Sequence, residues 1–242
     1  MSDFTYAGSE LDLFATALNW KSYWSLRIRP FVAGSVLEVG AGIGANTPYL
    51  VKDGDSGWVC LEPDASLLGR LDSTLRANKC NVSPEAITGT LQDIQASRQF
   101  DTILYIDVLE HIEDDRGELE SAASHLRPGG RIIVLAPAHQ WLFSPFDAEI
   151  GHFRRYNRRM MRQISPASLQ LERLFYLDSV GLLLSAAIRL LLRQSMPTQS
   201  QLRVWDRFVI PTSRMLDQCL FNSVGKSIVG IWRRQRHGSG HR

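Results

Sequence analysis

The chain has 242 residues, of which 44% are hydrophobic and 21% charged, as is ordinary for a globular protein with a sizeable core. Its three cysteines are far apart and fit neither a metal-ligand spacing nor a disulfide framework, so we expect a reducing compartment and no bound metal. The N-terminus lacks the basic-then-apolar order of a secretory signal peptide, which predicts a cytoplasmic protein.

Charge is distributed unevenly behind a net value of +2. Residues 1–150 carry 11 Lys and Arg against 21 Asp and Glu, whereas residues 151–242 carry 16 against 4. A split of this size predicts a basic surface for an acidic partner. Nucleic acid, an anionic membrane face and an acidic small molecule all stay open at this point.

The first segment, residues 9–32, places apolar and aromatic residues at roughly helical spacing. We expect it to pack over the mouth of the first strand as a helical cover. Trp24 is a candidate to cover a bound ligand, although aromatic residues at this spacing are also typical of plain core.

The stretch Ser35 to Thr47 reads S-V-L-E-V-G-A-G-I-G-A-N-T. Its apolar opening predicts a buried parallel strand, and Gly40, Gly42 and Gly44 predict a tight turn into a helix, whose backbone can approach a ligand closely. Glu38 would face that ligand. Gly40, Gly42 and Ala45 also satisfy the dinucleotide fingerprint, so this stretch alone leaves a nicotinamide cofactor open.

Strands and helices then alternate, which predicts right-handed βαβ units and a parallel sheet. Strands are predicted at 58–62, 85–90, 100–106 and 131–136, with helices at about 45–53, through about 78, and over 113–126. Arg127 to Gly130 predicts a turn.

The last third differs in composition. Residues 139–162 are aromatic and basic and predict a loop, followed by a strand at 169–176 and an apolar helix over 179–193 that is too short to span a membrane. A second helix is predicted over about 202–221, a closing strand at 227–232, and a basic tail at the end of the chain.

Four blocks occur in a fixed order: V-L-E-V-G-A-G-I-G (36–44), C-L-E-P-D (60–64), F-D-T-I-L-Y-I-D-V-L-E-H-I (100–112) and L-R-P-G-G-R-I-I-V (126–134). As a set they resemble the class I S-adenosylmethionine-dependent methyltransferases, in particular the bacterial type 11/12 small-molecule group. The resemblance covers roughly residues 30–140. It implies a Rossmann-like, mostly parallel seven-stranded α/β sheet and S-adenosylmethionine as cofactor.

The resemblance also implies roles for individual residues. The glycine turn would hold the methionine end of the cofactor, Glu62 the ribose hydroxyls, the turn after the third strand the adenine, and the end of the fourth strand the sulfonium and methyl group. The implied cofactor-binding residues are Glu38, Gly40, Gly42, Gly44, Glu62, Leu91, Gln92, Asp93, Asp107 and Val108. Asp93 has a second interpretation, as a cap of its turn.

A further block, residues 139–156, resembles a motif that follows the fifth strand in bacterial members of this group. There it would cover the acceptor pocket. Arginine forks suit carboxylates or phosphates, so Arg154 and Arg155 predict an acidic acceptor, unless they only pair with nearby carboxylates. Trp24 and His111 complete the predicted acceptor-binding residues.

Methyl transfer needs a base only when the nucleophile arrives protonated. His152 is the first candidate and His139 the second, because a histidine titrates near neutral pH, and Tyr156 is the third predicted catalytic residue.

The sequence thus predicts one methyltransferase domain: a cover (1–32), a cofactor core (33–138), acceptor-side helices (139–222), a closing strand (223–234) and a tail (235–242). Its expected reaction is O- or N-methylation of a small, anionic and partly apolar acceptor in specialised-metabolite or cell-envelope biosynthesis. The alternatives are a lipid or glycolipid methyltransferase docked on the inner membrane face, a cofactor-binding module without turnover, and a nicotinamide oxidoreductase. Nucleic acid is not expected as a partner.

Overall fold

The computed structural model describes residues 10–52, 57–77, 84–191 and 198–236. Of the predicted segments, residues 1–9 of the cover and residues 237–242 of the basic tail lie outside this part of the chain. The strands are β1 (Ser35–Val39), β2 (Gly57–Glu62), β3 (Glu85–Thr88), β4 (Phe100–Ile106), β5 (Leu126–Pro137), β6 (Leu169–Leu177) and β7 (Ser227–Arg234). The helices are α1 (Glu10–Ala15), α2 (Leu18–Ile28), α3 (Thr47–Leu50), α4 (Ala65–Ala77), α5 (Asp115–Ser124), α6 (Pro145–Glu149), α7 (Arg158–Gln163), α8 (Ser179–Leu191), α9 (Gln199–Val204) and α10 (Ile210–Cys219).

The described strands form one seven-stranded sheet in the order β3-β2-β1-β4-β5-β7-β6. The first five strands are mutually parallel, and β7 runs antiparallel to both β5 and β6. The predicted α/β class and the mostly parallel seven-stranded sheet are therefore confirmed.

Apolar side chains alternate between the two faces of the central strands, as the period of two in a strand requires. Leu37 and Ile103 lie in the core cluster on one face, and Val36 and Leu104 lie in the cluster on the other face. Because both faces are covered, the central strands read as nearly continuous apolar runs.

Three predicted elements differ from the structure. The predicted turn Arg127–Gly130 lies inside β5, where the pairing with β4 shifts register, so the Pro-Gly-Gly residues form an irregularity within the strand. The predicted helix over 45–53 is only the single turn α3. The second C-terminal helix begins earlier than predicted and contains a π-helical turn, Trp205–Val209, between α9 and α10.

Buried aspartates fasten the C-terminal helices to α2. Asp206 accepts hydrogen bonds from the backbone N–H groups of Asn19 and Trp20 at 3.1 and 2.8 Å. Asp217 accepts from the Tyr23 hydroxyl and from the Asp178 backbone N–H, each at 2.7 Å. These contacts hold α2 and the C-terminal helices together beside the carboxyl ends of β1 and β4.

Candidate active site

A cavity of about 1010 Å³ opens at the carboxyl ends of β1 and β4. The loop after β1 forms one end of it, and the apolar side chains of α1, α2, α9 and residues 142–150 form its walls. Polar groups reach it from several elements. The predicted site residues that line the cavity are Gly40, Gly42, Asp107, His111, His152, Arg155 and Trp24.

The loop after β1 has the backbone shape that its glycines predict. Gly40, Gly42 and Gly44 have φ angles of +65°, +56° and +72°, in the left-handed region that glycine tolerates without strain. At Gly40 a Cβ atom would also lie 2.6 Å from a Val108 methyl group. Gly40 therefore lets β1 and β4 approach closely where the cavity begins, and Val108 acts as the packing partner of the loop.

Glu62 stands beside this loop at the end of β2. Its two carboxylate oxygens accept hydrogen bonds from the backbone N–H of Gly42 at 2.7 Å and of Asp64 at 3.0 Å. Burial raises its pKa, against the effect of these two hydrogen bonds. Each oxygen retains acceptor capacity, so this fixed carboxylate suits a ligand with a pair of adjacent hydroxyls.

Glu38 lies beneath the loop and is not among the residues that line the cavity, so its predicted role in cofactor binding stays a prediction. One of its oxygens accepts from the Thr47 hydroxyl at 2.8 Å and from the Trp58 indole N–H at 3.0 Å. Burial raises the pKa of Glu38 to about 7, although Thr47, Trp58 and Lys21 oppose the rise. Its observed contacts join the start of α3 to β2, behind the loop.

The predicted adenine turn follows β3, outside the cavity. Leu91 belongs to the core, and Gln92 is exposed. The Asp93 carboxylate accepts from the Thr90 backbone N–H at 2.8 Å and completes a capping box. This is the contact that the capping interpretation of Asp93 describes.

Asp107 follows β4 with a φ angle of +55° and is exposed to the cavity. The dense protein around it raises its pKa to about 6, against the opposing charges of Lys21 and His152. It therefore presents a carboxyl group to the middle of the cavity.

Lys21 is a cavity residue that the sequence analysis missed. It is buried on α2 among aromatic side chains, and its ammonium group donates to Asn46 Oδ1 at 2.5 Å. Burial lowers its pKa to about 8, although Asp107, Glu38 and Asp206 oppose the change. A single lysine on an otherwise aromatic helix face is the sequence signal that could have identified it.

Glu110, His111 and His152 form a cluster on the cavity wall. The rings of His111 and His152 are 4.5 Å apart, and His152 Nε2 lies 3.8 Å from a Glu110 carboxylate oxygen. Glu110 is fully buried, and neither of its side-chain oxygens has a hydrogen-bond partner among the described residues. Burial and the neighbouring Asp107 raise its pKa well above the ordinary value, which the charge of Arg155 only partly opposes.

Asp147 orients His152 from behind. It accepts a contact from His152 Nδ1 at 3.1 Å and a fork of two hydrogen bonds from Arg155 at 2.8 and 2.9 Å. Although burial opposes ionisation, these hydrogen bonds lower the pKa of Asp147 well below its ordinary value. Asp147 thus holds the Nδ1 edge of the His152 ring and directs Nε2 toward Glu110.

The other predicted acceptor-side residues lie elsewhere. Arg154 pairs with Asp115 at 2.6 Å and donates to the Glu113 carbonyl, outside the cavity. The Tyr156 hydroxyl is buried and donates to the same aspartate at 2.8 Å. His139 contacts the Gly225 carbonyl at 3.0 Å and stacks on Tyr176. The structure thus gives these three side chains protein partners, and their predicted roles in catalysis or binding stay predictions.

Residues 37–132 match the family model described as a methyltransferase domain. The ubiquinone biosynthesis O-methyltransferase of Rhizobium rhizogenes is 30% identical over 106 residues, which are 44% of this chain and 42% of that protein. The chain therefore matches less than half the length of this curated relative.

Two solved structures share the fold. An S-adenosylmethionine-dependent methyltransferase from Clostridium acetobutylicum has a TM-score of 0.55 at 11% identity, over 90% of this chain and 92% of that one. The [4+2]-cyclase SpnF has a TM-score of 0.61 at 11% identity, over 95% of each chain. The strand order, the glycine loop with Glu62 and the match over residues 37–132 lead to one conclusion. Residues 37–132 contain a methyltransferase domain, and the chain has the class I fold of S-adenosylmethionine-dependent methyltransferases.

Proposed function

We propose that this chain transfers a methyl group from S-adenosylmethionine to a hydroxyl group of a small, partly apolar acceptor. The observation that carries the proposal is the continuity of the cavity, which runs from the glycine loop past Asp107 to an apolar chamber that contains His152. Its volume of about 1010 Å³ lies at the upper end of ligand pockets and has room for two ligands side by side.

The residues at the loop fit the cofactor. Gly40 and Gly42 bring the loop backbone to the cavity wall at positive φ, and Glu62 can accept from both ribose hydroxyls. Asp107 at the cavity centre favours the positive sulfonium group. Leu91, Gln92 and Asp93 stay the proposed adenine-binding residues at the end of β3.

The acceptor chamber supports a partly apolar substrate. Its walls carry large apolar side chains from the N-terminal helices, from residues 142–150 and from the C-terminal helices, among them Phe14, Trp24, Phe146 and Trp205. Lys21 and Lys226 also line the cavity and could pair with an acidic group of the acceptor. The O-methyltransferase named among the relatives favours oxygen over nitrogen as the accepting atom.

When bound, S-adenosylmethionine supplies a methyl group on a positively charged sulfur with a neutral thioether as leaving group. The transfer forms an O–C bond and breaks a C–S bond, whose electron pair stays on sulfur, and the hydroxyl proton must leave. The chain contributes mainly proximity and orientation, which are worth about 7–11 kcal/mol of barrier lowering in well-aligned systems. The cluster around His152 is placed to promote the loss of the hydroxyl proton.

The cofactor part is tested by calorimetric titration with S-adenosylmethionine, S-adenosylhomocysteine and NADH. We expect both adenosyl ligands to bind, Glu62→Ala to weaken them about 10-fold or more, and the exposed control Glu85→Ala to leave them unchanged. Binding of NADH alone would contradict the proposal.

Turnover is tested by methyl transfer from radiolabelled S-adenosylmethionine to a panel of phenols and hydroxy acids. Acceptor-dependent product is the expected result. Cofactor binding without transfer to any acceptor would instead support a binding module or, as in SpnF, a different reaction on this fold.

A second candidate is the same reaction at a membrane surface. Phe208, Met215 and Phe221 are 61, 65 and 90% exposed, and the exposed charged residues of the segment 198–225 are all arginines, since its two aspartates are buried. Apolar side chains flanked by arginines are typical of interfacial helices. No described helix is long and apolar enough to cross a bilayer.

Vesicle co-sedimentation tests this candidate. We expect binding to anionic but not to neutral vesicles, and loss of that binding in a Phe208→Ser, Phe221→Ser variant. If the parent and the variant are recovered equally in the supernatant, the membrane candidate is rejected. The proposal of an acceptor in solution then remains.

A further inference from the structure

The Glu110 side chain poses an energetic problem that the fold does not explain. It is 0% exposed, and both of its oxygens lack a hydrogen-bond partner among the described residues. Burying an unpaired carboxyl group is unfavourable, and nearly all such groups in folded proteins have a partner. His152 Nε2, at 3.8 Å, is too far away to serve as that partner in the observed arrangement.

The two histidines beside it provide further ligand atoms. Glu110, His111 and His152 each offer one such atom, and these atoms all lie within 4.8 Å of one another on the cavity wall. Ligands of one tetrahedral cation at about 2.0–2.2 Å stand about 3.5 Å apart. A contraction of about 1 Å by side-chain rotation therefore brings the three atoms onto one ion.

The hydrogen bonds around His152 match those commonly found around metal-bound histidines. Asp147 contacts His152 Nδ1, and Arg155 and Ser144 hold Asp147 in turn. A carboxylate behind a histidine, which leaves the opposite ring nitrogen unprotonated, is the usual arrangement of metal-bound histidines. His111 is held by a hydrogen bond to the Gly151 backbone.

We propose that Glu110, His111 and His152 bind a divalent first-row transition-metal ion such as Mn²⁺, Fe²⁺, Co²⁺ or Zn²⁺. Two imidazoles and one carboxylate suit these ions and leave coordination positions open. All three residues line the cavity that the acceptor enters in the proposed function, so a bound hydroxyl could fill an open position. This inference differs from the expectation that the chain binds no metal.

The ion deepens the proposed function and rests on it for its role. A hydroxyl oxygen that coordinates a divalent ion loses its proton at lower pH, so the methyl group meets an oxygen anion without a dedicated base. The proton leaves to solvent through the cavity, and His152 acts as a ligand. The acceptor class narrows to molecules whose hydroxyl can reach the cluster.

The test uses the full untagged chain, freed of metal with a chelator and titrated with Co²⁺, whose visible absorption reports nitrogen ligands. Because His237 and His241 lie outside the described residues, the parent for all measurements carries His237→Gln and His241→Gln. We expect one equivalent of Co²⁺ to bind, with at least about 10-fold weaker binding in Glu110→Gln and His152→Gln. His139→Gln, a histidine outside the cluster, should bind as the parent does.

Binding of S-adenosylhomocysteine separates loss of the metal site from loss of the fold, because every variant that is folded should retain it. Equal Co²⁺ affinity in the parent and in Glu110→Gln, or no binding by the parent, overturns the metal site. Transfer that persists in chelator would reject the ion while leaving the proposed function intact. Stoichiometric Co²⁺ binding without S-adenosylhomocysteine binding would reject the proposed function and retain the site.

Discussion

The two ends of the cavity are built from different parts of the polypeptide. The end proposed to bind the cofactor is a backbone loop with glycines at positive φ, and Glu62 beside it accepts a hydrogen bond from the loop. The end proposed to bind the acceptor consists of side chains from distant segments, and one of them, Glu110, has no hydrogen-bond partner among the described residues. The buried carboxylate beside the first end therefore has partners within the described chain, whereas the one at the second end does not.

The largest expected effect comes from a substitution in the glycine loop after β1. Gly40→Ala places a Cβ 2.6 Å from Val108 at a φ angle of +65°, so we expect folding to weaken by about 2–4 kcal/mol and binding of S-adenosylhomocysteine to be lost. Calorimetry and urea unfolding measure the two effects.

Gly69→Ala is the matched control, because this glycine lies in α4 with nothing within 4 Å of an added Cβ. It should stabilise the chain by about 0.5–1 kcal/mol. A Gly40→Ala protein that binds the cofactor normally would show that the loop does not need its glycine there.

The second effect concerns Glu38, beneath the loop, whose pKa rises from 4.5 to about 7 on folding. Between these pH values the folded state binds more protons than the unfolded state, so the free energy of unfolding falls as pH rises, by about 3 kcal/mol in total. Glu38→Gln keeps an acceptor for Thr47 and Trp58 and should abolish this fall.

Urea unfolding across that pH range measures it, with the exposed Glu149→Gln as control. A pH dependence that is identical in Glu38→Gln and in the parent would show that Glu38 does not carry it.

The contrast between the two ends also explains what the sequence could predict. The mostly parallel seven-stranded sheet and the glycine loop are associated with local patterns, so four short blocks were enough to predict them. The partners of neighbouring arginines depend on tertiary structure. Arg154 pairs with Asp115 and Arg155 with Asp147, and nothing in the sequence separates the two. Lys21 was missed because a lone lysine on a helix is usually solvated.

The cluster was beyond prediction for the same reason. Glu110 and His111 are adjacent, but His152 comes from a separate loop that the Phe153 N–H joins to the Glu110 carbonyl at 2.8 Å. Local spacing alone does not place His152 beside Glu110.

A third prediction concerns Asp147, which contacts His152, and the affinity of the cluster for Co²⁺. Asp147→Asn removes the negative charge beside His152 Nδ1, so Co²⁺ affinity should fall about 10–100-fold. Titration followed by visible absorption measures it. Asp115→Asn, which breaks the neighbouring aspartate–arginine pair outside the cavity, should leave the affinity unchanged.

The smallest expected effect is that of Arg154→Gln. The Arg154 guanidinium forms an ion pair with Asp115 and donates a hydrogen bond to the Glu113 carbonyl. Its loss should lower the free energy of unfolding by about 1 kcal/mol and leave the acceptor KM within about 2-fold of the parent value. The matched Arg155→Gln removes the fork on buried Asp147 and should cost about 3 kcal/mol, and it also disturbs His152. Steady-state kinetics with an acceptor from the panel measures KM and kcat separately. A KM that rises about 10-fold in Arg154→Gln with kcat unchanged would mean that Arg154 leaves Asp115 to bind the acceptor, and anion recognition would then belong to the outer rim of the cavity.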